Sequence, residues 1–232
     1  FTSNKNLNEY RKKVKIYDLG IETVKRYVKE YQVDCDWNDS GKYFASSKFE
    51  DENKAKQFSN LLTSLNFKNE ILYKEELKKR LGTSFYNIGV YTNGGVLLNP
   101  GKLARSMIYT LPEQVELYEN TRLLNWKKIN DKIECQFAKN KIITNNIIFC
   151  ANGFLRSLNI KKNYNFPITL TASLTRPLSE NELKSIGSPK EWGVLPIRPM
   201  GATIRFTKDK RILIRNTAEV GKLKLINEYD LK

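Results

Sequence analysis

Apolar residues recur at Leu7, Tyr10, Val14, Tyr17, Ile21, Val24, Val28 and Tyr31, the spacing of a helix with one apolar stripe, and Ser3 or Asn4 is available to cap it. The stripe has heptad character, so a coiled coil is open. Gly20 in mid-stripe and its end after about four heptads favour a helix packed on its own domain. Residues 33–37, the polar run Asn38-Asp39-Ser40-Gly41 and residues 42–46 read as strand, turn, strand. Ala55, Phe58, Leu61, Leu62 and Leu65 mark a second helix. A short third helix covers 75–81, with Gly82 placed to end it. Residues 85–91 and 96–98 predict strands joined through Asn93-Gly94-Gly95. Pro100 opens a helix with a stripe at Leu103, Met107, Ile108 and Leu111, and 114–119 predicts the strand completing a strand–helix–strand unit. A hairpin follows over 123–129 and 132–137 around Asn130-Asp131. The unbroken apolar run 147–150 predicts a strand buried on both faces. From 168 onward the pattern is mostly strands, at 168–174, 202–206 and 211–214, the last pair turned by Lys208-Asp209-Lys210.

Composition narrows the chemistry. The 232 residues contain no histidine, which removes Ser-His-Asp and Cys-His catalysis and any histidine-based metal site. Cys35, Cys135 and Cys150 are odd in number and lack CxxC spacing, so they read as small core residues rather than a zinc knuckle or disulfide framework. No metal is expected. The net charge of +15 is spread along the chain with a tilt toward the C-terminal third. Lysine outnumbers arginine, so the surplus does not mark a nucleic-acid groove, and no nucleic acid is expected as a partner. An anionic small molecule would be drawn to the same field. No apolar run approaches the roughly 20 residues of a membrane span, and the expected location is cytoplasmic. Gly95 to Lys102 misses the phosphate-binding Gly-x4-Gly-Lys loop by one residue, with Leu103 where a Ser or Thr should stand. No Gly-x-Gly-x-x-Gly occurs.

One ordered set of motifs goes further. Gly94-Gly95-Val96-Leu97-Leu98-Asn99-Pro100 leads into the helix. Val115-Glu116-Leu117-Tyr118-Glu119 and Thr121-Arg122-Leu123 follow, and then Ile147-Ile148-Phe149-Cys150-Ala151-Asn152-Gly153-Phe154. This order resembles the D-amino-acid oxidase (DAO) family of FAD-dependent amine oxidoreductases, with its His-Pro segment, Gly-Val-x-Ile-x-Glu strand, Thr-x-Val step and Ala-x-Gly strand end. Phe1-Thr2-Ser3 resembles the tail of the family's Arg-Asn-Ser-Gly-Phe segment. Val33-Asp34-Cys35-Asp36-Trp37 with Gly41 to Ala45 resembles its Ile-Asp-Cys-Asp hairpin, and Thr207 to Ile214 its Thr-x-Asp-Gly-Arg-Leu-Leu strand pair. The gamma-glutamylputrescine oxidoreductase-like branch looks nearest. Asn99 departs from the family's commoner His.

The resemblance implies an α/β fold with α+β character, in which an incomplete FAD-binding domain (1–32 and 91–163) is interleaved with an antiparallel-sheet substrate domain (33–90 and 164–232). It implies FAD as cofactor and a fragment whose Gly-x-Gly-x-x-Gly element would lie upstream of Phe1, so that catalysis by the piece alone is not expected. Leu123 then takes the position whose main chain meets the adenine edge. Ala151, Asn152 and Gly153 form the strand-end loop beside the cofactor, and Thr2 and Ser3 lie near the flavin. An amino acid or amine is the implied substrate, oxidised at its C–N bond to an imine. A substrate carboxylate calls for a planar guanidinium, for which Arg198 and Arg205 are the candidates, with Tyr91 and Trp192 as pocket walls. The residues alone read Leu123 as a core leucine and either arginine as solvated. A basic coiled-coil interaction module binding an acidic partner, and an FAD enzyme acting on a hydroxy acid, stay open as alternatives. No catalytic residue and no oligomeric state is indicated.

Overall fold

The computed structural model describes residues 7–160, 168–199 and 201–220; Thr2, Ser3 and the proposed caps Ser3 and Asn4 lie outside them. In chain order the elements are α1 (Leu7–Glu30), β1 (Lys42–Ser46), α2 (Glu52–Ser64), β2 (Asn69–Tyr73), α3 (Lys74–Leu81), β3 (Ile88–Thr92), α4 (Pro100–Tyr109), β4 (Asn125–Ile129), β5 (Lys132–Gln136), β6 (Lys141–Thr144), β7 (Ile168–Leu174), α5 (Glu180–Ser185), β8 (Trp192–Pro196), β9 (Thr203–Phe206) and β10 (Ile212–Val220). Short 3₁₀ turns occupy Phe49–Asp51 and Asn152–Leu158. This is a mixed α/β fold. No helix among the described residues is long and apolar enough to cross a membrane.

The chain divides into two compact units, one of residues 1–111 and 171–217, the other of 112–170 and 218–232. In the first, a sheet runs in the order β2-β3-β1-β8-β9-β10-β7. All its described pairings are antiparallel except β1 with β8. Strand alternation sends neighbouring side chains to opposite faces. On one face Tyr43, Ala45, Leu72, Trp192, Val194 and Phe206 pack with Leu77 and Leu81 of α3 and Leu183 of α5. On the other, Ile88 and Val90 with Phe44 and Ile71 pack under Ala55, Phe58 and Leu62 of α2. Leu72, Leu77, Ile88 and Val90 are all but fully buried, each worth about 1.5–3 kcal/mol.

Helix ends follow their local chemistry. Gly82 closes α3 in the left-handed region (φ 71°), its N–H reaching Lys78 O at 2.9 Å. Asn99, standing where the family pattern has His, caps α4: its Oδ1 accepts from the N–H groups of Gly101 and Lys102, both at 3.1 Å. α5 begins with a capping box in which Ser179 and Glu182 serve each other's backbone. Arg176 beside Glu182 and the Ser179 N–H hold that carboxyl down at about 2. We expect Ser179→Ala to lower stability by about 1 kcal/mol, measured as a reduced urea midpoint with an unchanged m-value.

Several expectations are corrected. Residues 33–37 form no strand; Asn38 and Leu97 make one isolated bridge, with N–H to O distances of 2.9 Å each way. The turn at Gly94 exists, but β3 pairs with β1 and β2, while Gly95 and Leu97 bond to Gly41 and Asn38 instead. Residues 114–119 and 147–150 are not strands, so the strand–helix–strand unit is absent. Neither segment has a ladder partner among the described residues, and a strand cannot persist without one. Val115, Leu117 and Tyr118 are exposed, and Ile148 is 87% exposed. In the second unit β4-β5-β6 is an antiparallel sheet. Its first hairpin matches expectation and β6 extends it.

Candidate functional site

The site lies on the same face of the large sheet as α2, on the part of it that α2 does not cover. Registers β1–β8 and β8–β9 place Tyr43, Val194 and Ile204 in one row, and Gly193 opposite Arg205. One residue further along, Lys42, Gly193 and Arg205 therefore form a row on the opposite face. α1 and the 94–98 segment border an open cavity of about 780 Å³ here, lined by Ile21 and Val24 of α1 and by Trp37, Leu97, Leu98 and Leu195 among others. Gly193 is what keeps it open. A Cβ there would stand 3.0 Å from Leu97 Cδ2, so no larger residue fits without displacing Leu97.

The cavity is largely apolar apart from its cations and Thr203, whose Oγ1 accepts from Arg215 at 2.8 Å. Lys42 and Arg205 line it, and no carboxylate does. Among the described residues neither side chain makes a hydrogen bond or ion pair. Lys42 is half-buried and its Nζ sits 5.5 Å from the Phe44 ring centroid. Burial without a counter-ion pushes its pKa below the usual lysine range. Arg205 is exposed at the rim and also borders a second cavity of about 550 Å³. Three of the four carboxylates there are already engaged: Lys102 reaches Asp34 at 3.2 Å and Asp36 at 3.0 Å, Lys208 reaches Asp36 at 3.2 Å, and Arg211 reaches Asp209 at 2.8 Å, while Glu191 also borders the cavity. Among the described residues, no cluster of His, Cys, Asp and Glu is arranged to hold a metal ion.

The other sequence candidates are placed differently. Arg198 is committed within the fold. Its Nε donates to Asp51 Oδ2 at 2.7 Å and its terminal nitrogen to Glu50. Tyr91 and Trp192 belong to the face opposite Arg205, because each is in register with the row containing Tyr43 or Phe206. Trp192 is 6% exposed, packs 6.3 Å from the Phe206 ring, and its Nε1 has no acceptor among the described residues. Tyr91 stacks on Tyr43 at 4.9 Å and donates from its hydroxyl to Ser40 O at 3.1 Å, bracing the turn at Gly41 on the cavity rim.

In the second unit, Leu123 is half-buried, and neither its N–H nor its C=O has a partner among the described residues. Ala151 and Gly153 are half-buried, while Asn152 is exposed in the left-handed region (φ 43°). Trp126, which the sequence reading missed, ties this region together. Its ring lies 5.3 Å from Phe149 and its Nε1 donates to Leu158 O at 3.0 Å. Lys42 and Gly193 were also missed, since only register brings them to one wall.

The family model for the FAD dependent oxidoreductases of the DAO type matches residues 3–230. The chain belongs to this family. This DAO-family chain is 21% identical over 196 residues to a "Probable oxidoreductase OrdL" of Haemophilus influenzae, covering 78% of this chain and 46% of that protein. Its fold is similar to glycine oxidase from Bacillus cereus (TM-score 0.71, 12% identity, 99% of this chain and 63% of that one). It is also similar to glycine oxidase from Geobacillus kaustophilus (TM-score 0.70, 12% identity, 91% and 56%). The DAO-family chain thus spans roughly half to two thirds of these proteins' lengths. FAD is the cofactor of the family, and the unpartnered main chain at half-buried Leu123 suits a ligand edge that both donates and accepts.

Proposed function

We propose that this DAO-family chain is the central part of an oxidoreductase that takes the C–N bond of an amino acid or amine to an imine, which water then hydrolyses. The unpaired Arg205 guanidinium on an apolar cavity carries this reading. It is the planar fork expected for a substrate carboxylate, and Arg198, its sequence rival, is occupied by Asp51 and Glu50. Residues 33–90 and 164–232 would form the substrate side. Residues 1–32 and 91–163 would supply part of the cofactor side, where Leu123 meets the adenine edge through its main chain and Ala151, Asn152 and Gly153 pass beside the cofactor. Bound FAD would supply the hydride acceptor. The chain's own part is to orient the substrate and exclude water. Arg205 fixes the carboxylate end, and the apolar walls at Ile21, Val24, Leu97 and Leu98 disfavour an ammonium, so the amine is held neutral.

The coiled-coil alternative is disfavoured by the family match, which spans residues 3–230 and so includes the whole α1 stripe. In the full-length protein loaded with FAD, we expect Arg205→Met to lower kcat/KM for amino acids about 10- to 100-fold, the range for one charged hydrogen-bonded contact. The loss should fall mainly on KM, and amines lacking a carboxylate should be unaffected. An equal loss with both substrate classes would refute the assignment, and so would a full-length protein that neither is yellow nor takes up FAD.

A further inference from the structure

The open sheet face holds more positive charge than one carboxylate needs. Lys42 and Arg205 stand in one row on either side of Gly193, their Cα atoms about 10 Å apart at the usual strand spacing. Glycine leaves no side chain between them. The residues lining the cavity include these two cations and no Asp or Glu, and no carboxylate among the described residues pairs with either. Elsewhere on the same unit, lysines that meet a carboxylate are ion-paired: Lys25 with Asp39, Lys54 with Asp51 and Lys102 with Asp36. A half-buried ammonium without a counter-ion is unfavourable unless something else brings the negative charge.

We propose that the cavity is built for a substrate with two anionic ends, an amino dicarboxylic acid, with Lys42 receiving the carboxylate that Arg205 does not. This rests on the substrate role given to Arg205 above and adds Lys42 as a specificity residue. The lowered Lys42 pKa fits such a site, because a bound carboxylate would stabilise the charge that burial now disfavours. Lys42 is well placed for it. Its stem packs against Gly95, where even a Cβ would come within 2.9 Å of the Lys42 side chain, so the ammonium is presented from a fixed base.

The test is calorimetric titration of the FAD-loaded full-length protein with glutarate and with butyrate, which differ in the second carboxylate. Glutarate should bind about tenfold or more tightly. Lys42→Met, which keeps an unbranched stem against Gly95, should abolish that advantage and leave butyrate binding unchanged, while Lys42→Arg should restore most of it. Arg205→Met should weaken both ligands. Equal affinity for the two ligands in the unmodified protein overturns the proposal, as does a Lys42→Met variant that keeps the glutarate preference or weakens both ligands alike. If Lys42→Met leaves the preference intact while Arg205→Met weakens both ligands, the second anionic subsite alone fails. If Arg205→Met weakens neither, the substrate role of Arg205 fails with it.

Discussion

Replacing Asp51 with alanine is expected to cost about 3 kcal/mol of folding stability, the lower end for breaking a buried ion pair by removing one partner. Asp51 is fully buried at the 3₁₀ turn before α2. Its carboxylate accepts from Ser46 Oγ at 2.6 Å, Lys54 Nζ at 2.9 Å and Arg198 Nε at 2.7 Å. It thereby fastens the end of β1 to the segment just after β8. Alanine would leave the buried Ser46 hydroxyl without its acceptor, whereas Lys54 and Arg198 can turn to water, which keeps the cost moderate. Urea unfolding would show a lower midpoint at nearly constant m-value.

The same group fixes a pH dependence. The Arg198 guanidinium, with Ser46 and Lys54, holds the Asp51 carboxyl well below the usual carboxylate range. A depressed folded-state pKa means the unfolded chain takes the proton first as acid is added. The contribution is therefore complete above the ordinary carboxylate pKa and is lost as pH falls from about 5 toward the depressed value. Asp51→Asn should flatten the stability curve in that window and leave its neutral-pH slope unchanged. An unaltered acid limb would contradict the assignment.

Gly41→Ala is the second large effect, expected at about 2–4 kcal/mol. Gly41 sits at φ +69°, where a Cβ costs roughly 1–2 kcal/mol. The new methyl would also stand 2.5 Å from the Tyr91 hydroxyl and 2.7 Å from its ring. Tyr91 cannot swing away freely, held between Tyr43 at 4.9 Å and the Arg80 guanidinium at 5.8 Å. Moving it forfeits its bond to Ser40 O, worth about 1 kcal/mol. Because strain and collision are separate contributions, a double-mutant cycle with Tyr91→Ala resolves them. In that background Gly41→Ala should cost only the backbone part. Strict additivity would show that the ring is not what the methyl meets.

Much of the architecture was legible in local pattern. α1 to α4, the β4–β5 hairpin, β7 and the β9–β10 pair carry strong periodicity or turn chemistry, and Gly82 ends α3 as its position implied. β8 was not legible. Its sequence, Trp192 to Pro196, holds a glycine and ends in proline, and it is a strand because β1 and β9 supply ladders on both sides. The reverse failure occurred at 147–150, where an apolar run promised a buried strand but no ladder partner stands beside it among the described residues. The site shows the same division. Arg205 could be chosen from residue chemistry alone. Lys42 follows a polar turn and reads as one more solvated lysine, and only its register with Gly193 and Arg205 gives it a different role. Tyr91 and Trp192 were separated from Arg205 by strand alternation, which residue type does not reveal.

The parallel joint between β1 and β8 also governs when the molecule can form. Its bracing pair, Asp51 and Arg198, is 147 residues apart in sequence, so half the hydrogen-bonding edge of β1 waits for chain that has yet to be made. At translation rates of 5–20 residues per second, that interval is roughly 7–30 s. During it, an apolar strand with one bare edge is open to pairing with other nascent chains. Closing so long a loop also predicts slow refolding in vitro.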